Sequence, residues 1–284
     1  MALIVPPTGE DDKGKEEKKP RPLEPSELKK AIEEEGLSAD VTYESVRREG
    51  EKELRRSSGS LGWSALAGGL AMGFSFLTES LLHAHLPDAS WRPLITKLGY
   101  PVGFVIISMG SQQLFTENTL TPIVPLLLDK SRAKFLSVMR LWGVTLAANI
   151  AGTLLFALVL ARTTTFDAQV QRAFTDVARE ALRGTFLETF LRAVFAGWLI
   201  ALMVWMLPAS KTAQHTTIII MTYVVGIGGL AHIIVGSTEV LYLVIAGQAT
   251  MADYFIGFFL PALTGNVVGG LALVAGLNHA QVVE

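Results

Sequence analysis

The sequence predicts an all-α membrane protein with six transmembrane helices, arranged as two inverted three-helix repeats in which the second and fifth helices are broken. Three observations favour this fold class. The 284-residue chain is 50% hydrophobic, with a mean hydropathy of +0.41. Of its 24 basic and 26 acidic residues, 12 and 15 lie within residues 1–60, which leaves the rest of the chain with a membrane composition. Two polar stretches, 110–119 and 232–239, interrupt apolar segments.

Six apolar segments follow the charged N-terminal part. Four are long enough to cross about 30 Å of hydrocarbon as one helix, and the second and fifth are cut by the polar stretches. Lipid cannot pair with free backbone groups, so a non-helical stretch survives at membrane depth only when protein buries it or when it lines a cavity. The breaks therefore predict a pore or a transport pathway. The predicted segments are 61–83, 98–114 with 120–128, 135–160, 186–207, 216–231 with 238–247, and 252–277.

Residues 1–59 are predicted to form a charged extension ahead of a channel domain at 60–280. Its first 25 residues contain five prolines and mixed charges, which predicts disorder. A short helix is expected at 27–35 and a second charged helix from Asp40 to Arg56. We expect an inert appendage, with a gate or a docking helix as the alternative. The polar start argues against a cleavable signal peptide.

Basic residues indicate the orientation in the membrane. They cluster at 130–140, between the second and third spans, and Lys211 separates the fourth from the fifth. Positively charged loops face the cytoplasm, which places both termini on the cytoplasmic side. The loop at 161–185 must then be external, although it contains four arginines that three acidic residues offset in part.

Internal repetition supports a duplicated architecture. Phe-Leu-Thr-Glu at 76–79 matches Phe-Leu-Glu at 186–188, and Thr-Glu at 116–117 matches 238–239. The third and sixth segments share Asn-x-x-Gly, beginning at Asn149 and at Asn266. Three matches in the same order favour duplication, and an odd number of spans per half requires the halves to be inverted. Transporters with this architecture bind substrate near the midplane, at the interface between the repeats.

Several functional classes are excluded by composition. The net charge of -2 offers no basic surplus for nucleic acid, and the absence of cysteine rules out disulfides and thiolate metal sites. No glycine-rich phosphate loop, metal-ligand spacing or nucleophile and base pair is present. We therefore expect neither an enzyme nor a bound cofactor or metal. The expected partners are a lipid bilayer and a small solute.

Four motifs resemble those of the formate/nitrite transporter family, over nearly all of residues 60–280. The stretch at 260–270, Leu-Pro-Ala-Leu-Thr-Gly-Asn-Val-Val-Gly-Gly, is the most specific. The other matches are Leu-Phe-Thr at 114–116, Thr-Phe-Leu-Glu at 185–188 and Gly-Leu-Ala-His at 229–232. This resemblance implies an aquaporin-like fold, a homopentamer with a pore in each protomer, a bacterial inner membrane location, and passage of small monovalent anions such as formate or nitrite.

This chain departs from the family pattern at three positions. Glu117 stands where a small residue is usual, Ala231 where an acidic residue is frequent, and Gly236 where an asparagine is usual. The charged first 60 residues are expected to have no counterpart in the family's core. The sequence therefore resembles a divergent branch of the family.

His232 is the histidine expected well inside a span. A buried ionisable group in a membrane is costly, which favours a functional role, and histidine changes charge near neutral pH. It is expected to donate a proton or a strong hydrogen bond to the substrate, or else to hold the broken backbone. Glu117 and Glu239 occupy equivalent places in the two repeats. An ionised glutamate would repel anions, so Glu117 is protonated, paired, or evidence against anion transport.

Further pathway residues follow from the motifs. Leu114 and Phe115, with Tyr100 and Phe104 one turn or more earlier, are candidates for hydrophobic constrictions, against ordinary packing as the alternative. Arg192, Glu188 and Glu239 are expected to take part in structural pairs or to attract substrate. The polar stretches add the remaining candidates, Thr116, Asn118, Ser237 and Thr238.

The favoured function is a passive or proton-linked channel or transporter for a small monoanion, with His232 as the candidate for the proton link. The alternatives are a neutral-solute channel of the aquaglyceroporin type and a non-conducting membrane scaffold or sensor. The charge state of Glu117 distinguishes the anion channel from the neutral-solute channel.

Overall fold

A computed structural model describes residues 38–210, 212–277 and 281. The predicted disorder at 1–25, the predicted helix at 27–35 and Lys211 lie outside the described residues. Regular structure in the described part is helical throughout. Four helices there are long and apolar enough to cross a membrane, Ser58–His85, Arg132–Arg162, Phe186–Met206 and Asp253–Ala272.

The helices follow the predicted segments closely, with additions outside them. In chain order they are α1 (Ala39–Arg55), α2 (Ser58–His85), α3 (Arg92–Thr96), α4 (Pro101–Met109), α5 (Ile123–Leu128), α6 (Arg132–Arg162), α7 (Ala168–Ala181), α8 (Phe186–Met206), α9 (Gln214–Ile227), α10 (Ile233–Ile245) and α11 (Leu260–Val268). Short 3-10 turns cover Lys97–Gly99 and Glu117–Thr119, and π-helical turns flank α11 at Asp253–Phe259 and Gly269–Gly276.

Side-chain caps fix the starts of the long helices. Ser57 accepts a hydrogen bond from the Ser60 amide at the start of α2, and Ser131 does the same for Lys134 at the start of α6. Thr185 and Glu188 form a reciprocal capping box on α8. Each cap supplies an acceptor to amides that have no partner within their own helix.

The second apolar segment is broken, as predicted, but α4 ends at Met109 rather than near residue 114. Residues 110–116 run without helical structure, and Ser111 has a φ of 49°. A non-glycine residue in this left-handed region is uncommon and turns the chain sharply. The short helix α5 then resumes at Ile123, three residues later than predicted.

The fifth segment is also broken, but the predicted break at 232–239 is wrong. Helix α9 ends at Ile227 and α10 begins at Ile233, so the interruption spans 228–232. Gly229 adopts a φ of 56°, which glycine permits without steric cost, and ends the first half. Ser237, Thr238 and Glu239 are therefore helical. Their polarity alone did not break the helix, because the Thr238 hydroxyl donates to the Ile234 carbonyl, 3.5 Å away, within the same helix.

The segment at 161–185, predicted as a loop, contains helix α7. Asp167 caps its first turn by accepting from the amides of Gln169 and Val170. One face of α7 is buried against α2 and α10, through Val170, Ala173, Phe174, Val177 and Ala178. Apolar residues at helical spacing with charged residues between them explain this amphipathic helix.

Helix α1 packs on the membrane helices rather than standing apart. Tyr43, Val46 and Leu54 are buried, and a Cβ atom at Gly50 would collide with the Thr121 carbonyl. Arg140 of α6 donates to the Leu54 carbonyl at 2.8 Å. The expectation of an inert appendage did not anticipate this packing.

Candidate functional site

The break in the second segment is held by an asparagine of α6. Asn149 is fully buried, and its Oδ1 accepts from the Phe115 amide at 2.9 Å. Its Nδ2 donates to the carbonyls of Ala65 and Gln113 at 2.6 and 3.0 Å. All polar atoms of this amide thus serve backbone groups that a membrane interior could not satisfy.

Asn266 does the equivalent work at the other break. It is fully buried on α11, and its Oδ1 accepts from the Ile233 amide at 2.8 Å. Its Nδ2 donates to the carbonyls of Ala193 and Ala231 at 2.8 and 2.9 Å. Each asparagine therefore joins a break to two helices, with the same division between acceptor and donor.

The two breaks meet through one side-chain hydrogen bond. Thr116 Oγ1 lies 2.8 Å from His232 Nε2, and both residues are about 1% exposed. His232 also caps α10, because its Nδ1 accepts from the Val235 amide at 3.3 Å. Nδ1 therefore carries no proton, and the neutral ring carries its hydrogen on Nε2 and donates it to Thr116. The Thr116 hydroxyl proton remains available to a passing solute.

Aromatic rings surround this central pair. Phe104 contacts the His232 ring edge to face, with centroids 5.1 Å apart, and Tyr100 stacks on Phe104 at 5.7 Å. Leu114 and Phe115 are buried, with Phe115 packed against Trp142 of α6. Phe104 and Tyr100 thus lie beside His232, whereas Leu114 and Phe115 are buried directly ahead of Thr116 in the chain.

One cavity opens next to His232, on the side of helix α7. We call it the α7-side cavity. Its walls include Tyr100, one of the candidate pathway residues. They also include Ala231 and Gly236, two of the three positions that depart from the family pattern. The charged and titratable residues that line it are Lys97, Glu180, Arg192, His232 and Glu239.

A buried charge cluster lies at this cavity, and the sequence reasoning missed it as a site. Lys97 Nζ forms an ion pair with Glu79 of α2, whose side chain is fully buried, and donates to Glu180 of α7 at 2.9 Å. In the sequence, Glu79 stands out only through the repeat match at 76–79. A lysine entering one apolar segment and a glutamate deep in another are the signal that could have revealed the pair.

Another cavity lies where α1 packs on the break in the second segment. We call it the α1-side cavity. Glu117, Gln113, Asn118 and Thr121 from the break line it, together with Glu53 of α1. Burial raises the pKa of the Glu53 carboxyl, although Arg56 at 3.1 Å opposes this. Glu117 is half-buried, and its carboxyl group forms no hydrogen bond or ion pair with a described residue.

The remaining predicted residues divide into two groups. Asn118 donates to the Gln113 side chain at 2.9 Å and accepts from the Trp142 indole through its carbonyl at 2.7 Å. Ser237 and Thr238 are fully buried and lie outside both cavities, Ser237 within 3.2 Å of the Tyr254 hydroxyl. The structure thus brings Asn118 to a cavity and leaves those two hydroxyls in the helix packing.

Glu188 and Arg192 do not form the expected ion pair within 4 Å. Glu188 accepts from the Thr185 amide at 2.6 Å, which completes the cap of α8. Arg192 donates to the Arg183 carbonyl, and its buried Nε has no hydrogen-bond partner among the described residues. Arg192 therefore lines the α7-side cavity with a guanidinium group whose Nε is buried and unsatisfied. The described residues contain no group of three or more His, Asp or Glu side chains placed for a metal ion.

A family model described as formate/nitrite transporter matches residues 40–280. It includes α1, so residues 40–60 have a counterpart, contrary to the expectation made for the first 60 residues. The chain is 40% identical to the inner membrane protein YfdC of Escherichia coli over 86% of this chain and 79% of that protein. It is 28% identical to a probable formate transporter of Methanothermobacter thermautotrophicus, over 74% and 84%.

Solved structures are similar in fold. A pentameric formate channel with formate bound superposes with a TM-score of 0.66 at 19% identity, covering 80% of this chain and 98% of that one. An FNT family ion channel superposes with a TM-score of 0.73 at 18% identity, covering 84% and 98%.

Proposed function

Because the chain belongs to the formate/nitrite transporter family, we propose that it conducts small monovalent anions such as formate or nitrite across a membrane. The observation that carries this proposal is the Thr116–His232 hydrogen bond, which joins two helix breaks between two cavities. Non-helical backbone at this depth suits a pathway, since breaks in lipid-facing helices would leave backbone groups unpaired.

The proposed pathway has three stages. Arg192, with its unpaired Nε, attracts an anion into the α7-side cavity. A hydrophobic constriction then removes water from the solute, as such constrictions do in other channels. It consists of the side chains of Tyr100, Phe104, Leu114 and Phe115. The Thr116 hydroxyl offers a hydrogen bond that replaces part of that water, and His232 holds it in place.

His232 acts in this proposal as a fixed hydrogen-bond donor. Taking up a second proton would require Nδ1 to give up the Val235 amide, and it would place a positive charge at the N-terminus of α10. The helix dipole disfavours a cation there. A proton link through His232 itself is therefore disfavoured.

We also propose an arrangement of the helices in two repeats, an orientation in the membrane and an oligomeric state. Two inverted three-helix repeats are supported by the matching bonds of Asn149 and Asn266, and by glycines at 69 and 197, where a Cβ atom would collide with the Asn149 and Asn266 carbonyls respectively. We place α1 and both termini on the cytoplasmic side, on the charge pattern of the loops. A homopentamer is supported by the pentameric state named for the similar formate channel. The working role is transport and not catalysis.

Carboxylates at both cavities favour a second candidate, a channel for neutral small solutes. Glu117 and Glu53 line one cavity, and Glu239 and Glu180 line the other. If all were ionised, an anion would meet repulsion on both sides.

The test is uptake by the full-length protein in sealed vesicles. Formate, nitrite and glycerol are supplied separately at acid and neutral pH, and protein-free vesicles give the background. Uptake of formate or nitrite above that background is the expected result. Glycerol uptake that does not depend on pH, without anion uptake, would establish the neutral-solute channel instead.

A further inference from the structure

Glu239 is a buried carboxyl group without a direct partner. The residue is 8% exposed, and its carboxyl group forms no hydrogen bond or ion pair within 4 Å with any residue that the structure describes. It nevertheless lines the α7-side cavity together with His232, about two helical turns along α10. A carboxyl group with free oxygens at a cavity wall is accessible to water and to a solute inside that cavity.

The charges around Glu239 come from several elements. Glu79 on α2, Lys97 ahead of α4 and Glu180 on α7 act on it electrostatically. Tyr100, Arg192 of α8 and His232 share its cavity. Helix α6 and the α11 region contribute no charged side chain to this cavity within the described residues. Lys97 forms ion pairs with Glu79 and Glu180. These two carboxylates offset its positive charge near Glu239.

This arrangement favours exchange of a proton at Glu239. Glu180 lines the same cavity and disfavours a second negative charge at Glu239, whereas Arg192 keeps an anion nearby. His232 cannot easily supply a proton, because both of its ring nitrogens are occupied. Glu117 lies at the α1-side cavity, whose other charged wall residues, Glu49 and Glu53, are acidic and would repel an anion before it arrived.

We propose that Glu239 is the group that passes a proton to the anion before it crosses the Thr116–His232 junction. This inference rests on the proposed anion transport. The O–H bond of the Glu239 carboxyl breaks and an O–H bond forms on the weak-acid anion, so the solute crosses as the neutral acid. Water in the α7-side cavity returns a proton to the Glu239 carboxylate. One anion and one proton move together, and no net charge crosses.

The experiment compares variants of the full-length protein in sealed vesicles with formate outside. Uptake is followed together with internal pH, at acid and neutral external pH, and with a potassium diffusion potential imposed through valinomycin. Glu239→Gln keeps the shape of the side chain and removes the exchangeable proton. Glu239→Asp keeps the carboxyl group and serves as the conservative variant. Glu117→Gln is the matched control on the other side of the junction, and His232→Asn tests the histidine.

The wild type should take up formate faster at acid pH, acidify the interior and ignore the imposed potential. In Glu239→Gln the ratio of acid to neutral uptake should fall to about 1, and any remaining uptake should follow the potential. Glu239→Asp, Glu117→Gln and His232→Asn should retain the acid stimulation, whatever their absolute rates. Size-exclusion chromatography establishes that each variant is folded.

Three results would overturn the proposal. One is acid stimulation that persists in folded Glu239→Gln. Another is its loss in folded Glu117→Gln or His232→Asn, both of which should retain it if Glu239 carries the proton. The third is wild-type formate uptake driven by the imposed potential without internal acidification. A wild type that transports neither formate nor nitrite at either pH would instead reject the proposed function itself.

Discussion

Thr116 and His232 each complete the other's hydrogen bonding. The histidine has one ring nitrogen on the Val235 amide and the other on Thr116 Oγ1, so the threonine fixes its ring plane and tautomer. Thr119 donates in turn to the Thr116 carbonyl at 2.7 Å. The central donor is therefore held from both breaks before any solute arrives.

Replacing Thr116 with valine should lower both stability and transport. Valine has nearly the shape of threonine but cannot accept the Nε2 hydrogen, and an unsatisfied buried donor costs about 1–3 kcal/mol. The measurements are thermal unfolding in detergent and formate uptake in vesicles. The pH dependence of uptake should be retained, since neither residue is the proton carrier.

Thr145→Val is the control for that substitution. Thr145 is fully buried on α6, and its hydroxyl has no partner among the described residues. Removing an unsatisfied hydroxyl should leave stability unchanged or raise it. Equal behaviour of the two valine variants would show that the Thr116–His232 bond contributes nothing.

At the scale of elements, each helix break depends on an asparagine from another helix. Asn149→Ala should destabilise the protein by several kcal/mol, because it removes three hydrogen bonds and each buried group left unpaired costs about 1–3 kcal/mol. Asn266→Ala should cost a similar amount for the same reason. Thermal unfolding in detergent measures both.

Thr264→Val is the matched control on α11, since the Thr264 hydroxyl only donates back to carbonyls of its own helix at 2.7 and 3.3 Å. It should change the midpoint little. Asparagine variants as stable as this control would contradict the role given to the two amides.

Helix α1 should dock in a pH-dependent way. Burial raises the pKa of Glu53, so its contribution to docking is full below the usual range of a glutamate and is lost as pH rises through the shifted pKa. Glu44 behaves oppositely. Arg47 and Arg48 lower its pKa to about 2, so its contact with them persists until strongly acid pH. Above the pKa of Glu44, where its ion pairs are intact, the docking of α1 should weaken as pH rises through the pKa of Glu53.

Limited trypsin digestion at the arginines and lysine of α1 measures this loosening. Cleavage of the wild type should accelerate from acid toward neutral pH, after correction with an unstructured peptide for the protease's own pH response. Glu53→Gln should hold α1 in place across that range. Glu49→Gln, at an exposed position paired with Lys52 at 3.0 Å, is the control and should follow the wild type.

At the scale of the whole molecule, the outer surface of the helices is strongly apolar. Helix α6 exposes Leu154, Leu155, Leu158 and Val159, and α8 exposes Phe186, Leu187, Leu191 and Phe195. Such faces meet lipid or a neighbouring protomer. A ring that repeats one interface until it closes would cover part of them.

Native mass spectrometry in a mild detergent should therefore show about five protomers, in keeping with the proposed homopentamer. Raising the detergent concentration should not release monomers before the protein unfolds. A stable, transport-active monomer would refute this assembly.

Composition and motifs are sufficient to predict the class of this protein. Hydropathy, the two polar interruptions and the motif at 260–270 were sufficient to predict six apolar segments and the family, since these features depend on local composition. The segment boundaries moved by only a few residues, except where Ser237, Thr238 and Glu239 proved helical. Polarity in a short stretch does not reveal whether a hydroxyl can bond back to its own helix.

Only the tertiary structure decided the site. The ion pairs of Lys97 join residues 18 and 83 positions apart, and the Thr116–His232 bond joins residues 116 positions apart. No local pattern encodes such distances. The charged sequences of α1 and α7 predict solvent-exposed segments. In the structure, one face of each helix is buried. Side-chain partners depend on how the helices pack, because packing alone brings distant residues within reach of a hydrogen bond.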